Sequence, residues 1–393
     1  MSPDPVVIVA ARRTPIGAFQ GVLAPLSAPA LGGAVVRQVL ADTGLAGADV
    51  DQALLGCVLQ AGVGQSPARQ AALSGGLAVS VPTITVNKVC GSGMAALAIG
   101  CDQIRSGSAR VVLAGGMESM SNAPYLLPKA RAGYRMGHQE VLDHMFYDGL
   151  QNPYDGNMMG HFAEATAKRY EFTRDAQDAF AAETVRRALA ACQDGRFRSE
   201  IIPVTVKSRS GESLVDQDEE PFRADLARIG KMKPAFAKDG TVTAASSSSI
   251  SDGAAALVAM SSAEAARRGL QALARVAGWA THAHQPEWFT TAPTDAIRKL
   301  LTLTGWQAAS VDLWEINEAF ACVTMATTRE LALDPATVNV NGGSCALGHP
   351  IGATGARLLV TLIHALRQRG GKRGVAALCI GGGEALAFAV EVD

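Results

Sequence analysis

Cys90 lies in a stretch whose pattern favours a reactive thiol. The β-branched residues 81–86 before it predict a buried strand, and the small apolar residues 95–100 after it predict a buried helix. Cys90 would then occupy a strand-to-helix turn, where Gly91 and Gly93 allow other groups to approach closely. Free N–H groups and the helix dipole stabilise a thiolate there, so we expect a depressed pKa and a nucleophile. The alternative is a buried, inert cysteine.

A second candidate, His349, is held in the glycine-rich loop 341–355. Such a loop lets a substrate or a thiolate come within hydrogen-bonding distance of the imidazole, although a structural histidine is the alternative. Glycine-rich loops also bind phosphates. No Lys-Ser/Thr pair follows this loop, so the sequence does not predict a P-loop here.

Two further polar side chains follow predicted strands of the C-terminal third. Cys379 lies at a strand end beside Gly381, Gly382 and Gly383, whose N–H groups can point at an anion. It could equally be a core cysteine. Asn317 follows another strand, in the stretch 315–320, and its alternative role is a helix cap.

Order-preserving self-similarity indicates that the C-terminal third repeats the N-terminal third. Residues 44–51 match 305–312, each between a helix and a strand. Around Cys90 the order is strand, glycine turn, helix, strand and a turn containing Gly-Gly. The same order recurs with a strand at 337–341, a helix at 352–369 and a strand at 375–380. Alternating strands and helices predict an α/β protein with mainly parallel sheets, in which equivalent loops of the two halves meet in one site.

Residues 121–248 differ in composition from the segments on either side and are interpreted as an insertion. Their pattern predicts one helix over about 160–193 and a solvated acidic loop at 216–220. The serines at 246–249 indicate either a flexible linker or a ligand-binding loop. In the N-terminal half, a strand is predicted at 6–10, a loop at 12–17 and a helix at about 28–43.

Composition excludes several classes of function. The 393 residues are 48% hydrophobic with a net charge of −1 and no basic block, which argues against nucleic acid as a partner. No apolar run reaches the length of a membrane span, and no secretion signal is recognisable at the N-terminus. Seven cysteines without CxxC spacing predict a reducing compartment, hence a cytoplasmic protein without disulfides or a metal site.

Four motifs together resemble the thiolase family, most closely its acetyl-CoA acetyltransferase branch. In order they are Asn-x-x-Cys-x-Ser-Gly at 87, Asn-Glu-Ala-Phe at 317, Gly-His-Pro-x-Gly-x-x-Gly at 348 and Cys-x-Gly-Gly-Gly at 379. The resemblance runs from residue 6 to the end. It implies a duplicated five-layer α-β-α-β-α core in which 1–120 plus 249–270 form the N-terminal half, 271–393 the C-terminal half and 121–248 an inserted loop domain for coenzyme A binding and oligomer contacts.

The same resemblance implies the reaction and its participants. Two molecules of acetyl-CoA would condense reversibly to acetoacetyl-CoA and coenzyme A through an acyl-cysteine. Coenzyme A and acyl-CoA would be substrates, with no permanently bound cofactor, and the protein would be a homodimer or homotetramer. The alternatives are a degradative thiolase of broader chain length, a non-catalytic acyl-CoA- or lipid-binding relative, and a cysteine hydrolase.

The resemblance also implies a role for individual residues. Cys90 would be acylated, His349 would take its proton, and Cys379 would be a second acid/base. Asn317 would hold a water, and the N–H groups of Cys90 and Gly381 would form an oxyanion hole. The expected coenzyme A and substrate contacts are Ser248, Phe236, Met158, Met159, Ala319 and Phe320.

Several positions depart from the usual family pattern without touching these four catalytic side chains. They are Met158 in place of a histidine, Ser246 in place of an asparagine, Cys345 in place of an aliphatic residue, and Glu384-Ala385 in place of Met-Gly. The departures leave the preferred acyl length and direction open.

Overall fold

The computed structural model describes residues 4–208 and 211–393. The β-strands are β1 Val6–Arg13, β2 Gly17–Ala18, β3 Gln52–Gly56, β4 Thr83–Val86, β5 Val111–Ser119, β6 Tyr125–Leu126, β7 Leu142–Asp143, β8 Val204–Ser208, β9 Gly211–Val215, β10 Ser251–Ser261, β11 Ala274–Ala283, β12 Leu313–Ile316, β13 Arg373–Ile380 and β14 Glu384–Glu391. The α-helices are α1 Ala28–Thr43, α2 Pro67–Ser74, α3 Ser92–Arg105, α4 Met159–Arg169, α5 Arg174–Gln193, α6 Glu220–Arg223, α7 Ser262–Arg268, α8 Ala292–Thr304, α9 Ala321–Glu330, α10 Ser344–Leu347 and α11 Ile351–Arg369.

One large sheet carries the duplication. Its strand order is β12-β13-β14-β11-β1-β10-β5-β3-β4, with β2 on β10. The two halves meet where Val7 and Ile8 of β1 pair with Arg275 and Ala274 of β11. Only β3 with β4, β3 with β5, and β12 with β13 are parallel; the other pairs of this sheet are antiparallel. The prediction of mainly parallel sheets is therefore wrong, because β14 returns along β13 as a hairpin instead of crossing over.

The core has five layers. Helices α3 and α11 pack against each other between the two halves of the sheet, α1 and α2 cover one outer face, and α8 covers the other. Every residue from Ile351 to Ile363 in α11 is buried, as expected for a helix covered on all sides. Among the described residues, no helix combines the length and the apolar character needed to cross a membrane.

Three local predictions fail at identifiable residues. Arg12 and Arg13 belong to strand β1 and not to a loop. The helix predicted over 160–193 is two helices, α4 and α5, separated by a turn in which Glu171 has a φ of 54°. The strand predicted at 337–341 is reduced to a single parallel bridge between Trp314 and Val338, because Asn339 has a φ of 47° and ends extended pairing.

The acidic loop at 216–220 is not simply solvated. Asp218 is buried and accepts hydrogen bonds from the buried Arg13 guanidinium at 2.6 and 2.9 Å. Glu219 accepts from the backbone N–H groups of Ala18 and Val22 at 2.9 and 3.0 Å. A buried arginine requires such partners, so this loop is fixed to the N-terminal half of the core.

Candidate active site

A strained turn presents Cys90 at the start of helix α3. Strand β4 ends at Val86, the helix begins at Ser92, and Val89 between them has a φ of 46°, which is costly for a β-branched residue. The Ser92 hydroxyl stabilises the turn, since it accepts from Lys88 N at 2.9 Å and donates to Val89 O at 2.6 Å. The Lys88 ammonium also pairs with the Glu384 carboxylate, which joins the turn to the second half of the chain.

A cavity of about 200 Å³ lies in front of this turn. Nine of the eleven residues predicted from the sequence line it, whereas the remaining two, Cys379 and Asn317, are fully buried and do not line it. The nine are Cys90, His349, Gly381, Ser248, Phe236, Met158, Met159, Ala319 and Phe320.

The environment of Cys90 differs from the sequence expectation. Burial raises the pKa of its thiol to about 11, while the N–H groups of Gly381 and of Cys90 itself act in the opposite direction and Glu118 adds a smaller rise. The expected depressed pKa is therefore wrong, because desolvation outweighs the N–H groups on which the expectation rested. A thiol with this raised pKa is protonated at neutral pH and would need a proton acceptor to act as a nucleophile.

His349, which lines the same cavity, has a ring nitrogen without a partner in the described part of the chain. Its Nδ1 lies 2.6 Å from Thr354 Oγ1, and that hydroxyl donates to Pro350 O at 2.9 Å. Since the hydroxyl proton is used on Pro350, Nδ1 must carry the imidazole proton, which leaves Nε2 as a bare lone pair. Nε2 has no hydrogen-bond partner within the described part of the chain, and burial lowers the pKa of His349 to about 3.

The Asn317 amide is oriented by a chain of hydrogen bonds. The Ser344 hydroxyl donates to Asn317 Oδ1 at 2.6 Å and accepts from Arg357 Nη2 at 3.0 Å. The NH₂ group of Asn317 has no partner among residues 4–208 and 211–393, so its hydrogens are free to bind a water or a substrate oxygen. The helix-cap alternative is wrong, because α9 begins four residues later, after Phe320.

Cys379 approaches the same centre from the C-terminal half. It is the second-last residue of strand β13 and is fully buried. Burial raises its pKa well above the ordinary value, and it lies close enough to Cys90 that the Cys90 charge adds to this rise. The turn that follows needs glycine, since Gly382 and Gly383 have φ values of 96° and 90°. This turn directs the Gly381 N–H at the Cys90 sulfur.

Glu118 is a neighbouring group that the sequence reasoning did not identify as functional. Its carboxylate accepts from the N–H groups of Val58, Leu59 and Gly352 at 3.0, 3.1 and 2.9 Å, and burial raises its pKa to about 7. It therefore joins the loop after β3 to the start of α11. The Gly-Gly-x-Glu pattern at 115–118 was its only sequence signal.

The apolar wall of the cavity also extends beyond the predicted residues. Gly160 has no side chain to obstruct the Phe236 ring, since a Cβ there would lie 2.2 Å from it, and Phe236 meets Phe320 edge-to-face with centroids 5.8 Å apart. The additional apolar lining side chains, spread over loops without a local motif, are Val89, Met120, Phe146, Leu150, Ile250, Phe289 and Ile351.

The departures from the family pattern have different surroundings. Met158 lines the cavity, and Glu384 forms the ion pair with Lys88. Ser246 is buried and accepts from Thr243 N at 2.8 Å. Cys345 donates to Glu318 O at 3.4 Å, and burial raises its pKa well above the ordinary value. Of these four, only Met158 is placed to contact a substrate.

Comparison with known proteins matches both halves of the chain. Residues 6–263 match the family described as "Thiolase, N-terminal domain", and residues 270–392 match "Thiolase, C-terminal domain". A protein of Pseudomonas aeruginosa named acetyl-CoA acetyltransferase is 51% identical over 99% of both chains. One of that name from Chromobacterium violaceum is 47% identical over 98% of this chain and 99% of its own, and a probable acetyl-CoA acyltransferase of Staphylococcus aureus is 44% identical over 98% of each.

Proposed function

Because this chain belongs to the thiolase family, we propose that it is an acetyl-CoA C-acetyltransferase that reversibly condenses two acetyl-CoA into acetoacetyl-CoA and coenzyme A. Its relatives named acetyl-CoA acetyltransferase support the reaction. The observation that carries the proposal is the convergence on one cavity of the Cys90 thiol, the bare Nε2 of His349 and the Gly381 N–H.

The first half-reaction acetylates Cys90. The thiol passes its proton to His349 Nε2 as the sulfur attacks the thioester carbonyl carbon, and the N–H groups of Cys90 and Gly381 stabilise the oxyanion. The bond from the carbonyl carbon to the coenzyme A sulfur then breaks, and the leaving sulfur takes a proton from Cys379. The products are acetyl-Cys90, an imidazolium at His349, a thiolate at Cys379 and free coenzyme A.

The second half-reaction uses the charges left by the first. The Cys379 thiolate removes a proton from the methyl group of a second acetyl-CoA, and its raised pKa suits a base for a weak carbon acid. His349 Nε2–H and a water held by Asn317 Nδ2 stabilise the enolate oxygen. The enolate carbon attacks acetyl-Cys90, the carbon–sulfur bond breaks, and the Cys90 sulfur recovers its proton from His349.

Residues of the segment 121–248 supply much of the proposed coenzyme A site. Met158, Met159 and Phe236 from this segment line the cavity together with Ala319 and Phe320, and Ser248 offers a hydroxyl for the pantetheine arm. We therefore propose that 121–248 acts as a loop domain between an N-terminal half at 1–120 plus 249–270 and a C-terminal half at 271–393. Coenzyme A and acyl-CoA are substrates in this scheme, with no resident cofactor.

A homodimer or homotetramer is supported by apolar side chains exposed at two places. Strand β4 is an edge strand of the large sheet, with Ile84 43% exposed, and such edges pair readily with a second copy. In the segment 121–248, Tyr125, Leu127 and Met136 are 68%, 56% and 89% exposed.

All seven cysteines are free, which favours the reducing environment of the cytoplasm.

A broader-chain 3-oxoacyl-CoA thiolase is the second candidate, favoured by Met158 and the apolar cavity wall. Thiolysis by free coenzyme A of 3-oxoacyl-CoA substrates with four to ten carbons separates the two. Turnover confined to four carbons supports the acetyltransferase, and equal or rising kcat/KM with length supports the broader enzyme. If the folded protein shows neither activity and Cys90 is not acylated, the proposed function is contradicted.

A further inference from the structure

Two histidines at the end of strand β11 converge with an aspartate of helix α8, outside the active-site cavity. His282 and His284 are separated by one residue, and their rings meet edge-to-face with centroids 5.1 Å apart. His282 Nε2 lies 3.5 Å from Asp295 Oδ2. One ligand atom from each of the three side chains lies within 4.8 Å of the others. None of the three lines the cavity that holds Cys90.

The hydrogen bonds leave lone pairs available on both imidazoles. His284 Nε2 is 2.7 Å from Trp288 O, and since a carbonyl only accepts, Nε2 carries the proton and Nδ1 is a free donor atom for a metal. Both ring nitrogens of His282 are buried without a hydrogen-bond partner in the described part of the chain. Buried polar atoms without partners are costly, so this ring lacks the interactions of an ordinary structural histidine.

We propose that His282, His284 and Asp295 bind one divalent transition-metal ion of the zinc type. Tetrahedral zinc with nitrogen and oxygen ligands at about 2.0–2.1 Å has neighbouring ligands about 3.3–3.4 Å apart, close to the 3.5 Å between His282 Nε2 and Asp295 Oδ2. A cavity of about 280 Å³ lined by His284 and Asp295 leaves space for a water as the fourth ligand. The cysteine pattern gave no hint of this site, because imidazoles and a carboxylate build it.

The charges around the three side chains and the types of ligand atom together indicate which class of cation fits. Arg298 Nη1 donates to Asp295 Oδ1 at 3.1 Å and also pairs with Glu330, while Lys299 Nζ donates to Thr281 O at 3.3 Å. These cations offset the carboxylates, so charge alone does not attract a metal ion. Hard cations such as Ca²⁺ and Mg²⁺ prefer several oxygen ligands and do not fit. Arg298 instead acts as an outer partner that leaves Asp295 Oδ2 facing His282.

The site is directly connected to the catalytic glycine turn. His282 pairs with Ala385, which pairs on its other side with Cys379, and the His284 N–H donates to Gly383 O at 2.9 Å. The metal site can nevertheless be altered without replacing a residue of the proposed catalytic machinery.

The test is a titration of the metal-free, full-length protein with Co²⁺, whose visible absorption reports tetrahedral coordination, followed by displacement with Zn²⁺. We expect one Co²⁺ per chain, bound at least about tenfold more weakly by His282→Gln and Asp295→Asn. His138→Gln, which replaces an exposed histidine elsewhere, is the control and should bind like the unmodified protein. Zn²⁺ should also raise the Tm of the unmodified protein but not of His282→Gln.

Three results would overturn the proposal. One is the absence of a visible Co²⁺ spectrum in the folded protein. Another is a spectrum that both variants retain at unchanged affinity. The third is a spectrum dominated by thiolate-to-cobalt charge transfer, which would assign the metal to cysteines. Asp295→Asn, at a side chain 42% exposed, keeps the test valid if His282→Gln fails to fold.

Discussion

Thr354→Val should slow the acetylation of Cys90 although residue 354 does not line the active-site cavity. The Thr354 hydroxyl holds the proton of His349 on Nδ1 and thereby leaves Nε2 able to accept the Cys90 proton. Valine preserves the shape of threonine but cannot accept this hydrogen bond. The imidazole must then either leave Nδ1–H unsatisfied or move the proton to Nε2, where it blocks transfer from Cys90.

The size of the effect follows from the burial of the pair. Both side chains are at most 5% exposed, so water cannot readily replace the lost partner. Leaving a buried donor unsatisfied costs about 1–3 kcal/mol, which corresponds to roughly 5- to 150-fold in rate if the acylation step bears the whole cost. Thr354→Ser retains a hydroxyl that can accept from Nδ1, so it should recover most of the rate.

The assay is the rate of acetyl-Cys90 formation from acetyl-CoA, measured by rapid quenching and mass spectrometry of the intact protein. Thr361→Val is the matched control, since Thr361 is equally buried on α11 but donates to Glu200 Oε1 at 3.1 Å, far from His349. Equal acetylation rates in Thr354→Val and the unmodified protein would refute the reasoning. A comparable loss in Thr361→Val would assign the effect to the stability of α11 instead.

Three further predictions concern Cys379, Cys90 and the cavity wall at Met158. Cys379→Gly should still accept an acetyl group on Cys90, but condensation should fall by at least the ~10²–10⁴-fold typical of a lost general base. Near-normal formation of acetoacetyl-CoA would refute the role of Cys379 as the base. Loss of acetylation in the folded variant would indicate that Cys379 is the nucleophile and Cys90 the base. With a Cys90 pKa of about 11, its alkylation by iodoacetamide should rise roughly tenfold per pH unit from pH 7 to 10, since only the thiolate reacts; a plateau near pH 7, measured by peptide mapping, would contradict the raised pKa. Met158→His should lower the kcat/KM for substrates of six or more carbons relative to acetoacetyl-CoA, because an imidazole replaces a flexible apolar wall, and an unchanged length profile would assign chain selection to other residues.

Sequence reasoning succeeded where the signal is local. Helix α1 occupies 28–43 as its apolar periodicity indicates, and α11 spans 351–369 against a predicted 352–369. Nine of the predicted site residues line one cavity: five, including Cys90 and His349, come from the two duplicated halves, and the other four come from the segment 121–248. The thiolase fold is likewise confirmed by the match of both halves to the family.

The failures arise where the deciding partner is distant in sequence. The burial of Asp218 depends on Arg13, more than 200 residues away, and no periodicity of the acidic loop reveals it. The Cys90 thiol was judged by the N–H groups of its own turn, whereas its pKa is set mainly by the burial that the rest of the chain imposes. Pattern reasoning therefore predicted Cys90 as the nucleophile and was wrong about the direction of its pKa shift.

The protonation states bear on how the proposed acylation proceeds. Cys90 has a raised pKa of about 11 and His349 a lowered one of about 3, so both are neutral near pH 7 and a resting thiolate–imidazolium pair is disfavoured. Proton transfer to His349 must then accompany attack on the thioester, when negative charge moves from sulfur to the carbonyl oxygen held by the N–H groups of Cys90 and Gly381. A thiol kept neutral until substrate arrives is also protected from oxidation, since the thiolate is the reactive form. Burial thus lowers the reactivity of Cys90 at rest, and in the proposed mechanism the oxyanion hole restores it only during the reaction.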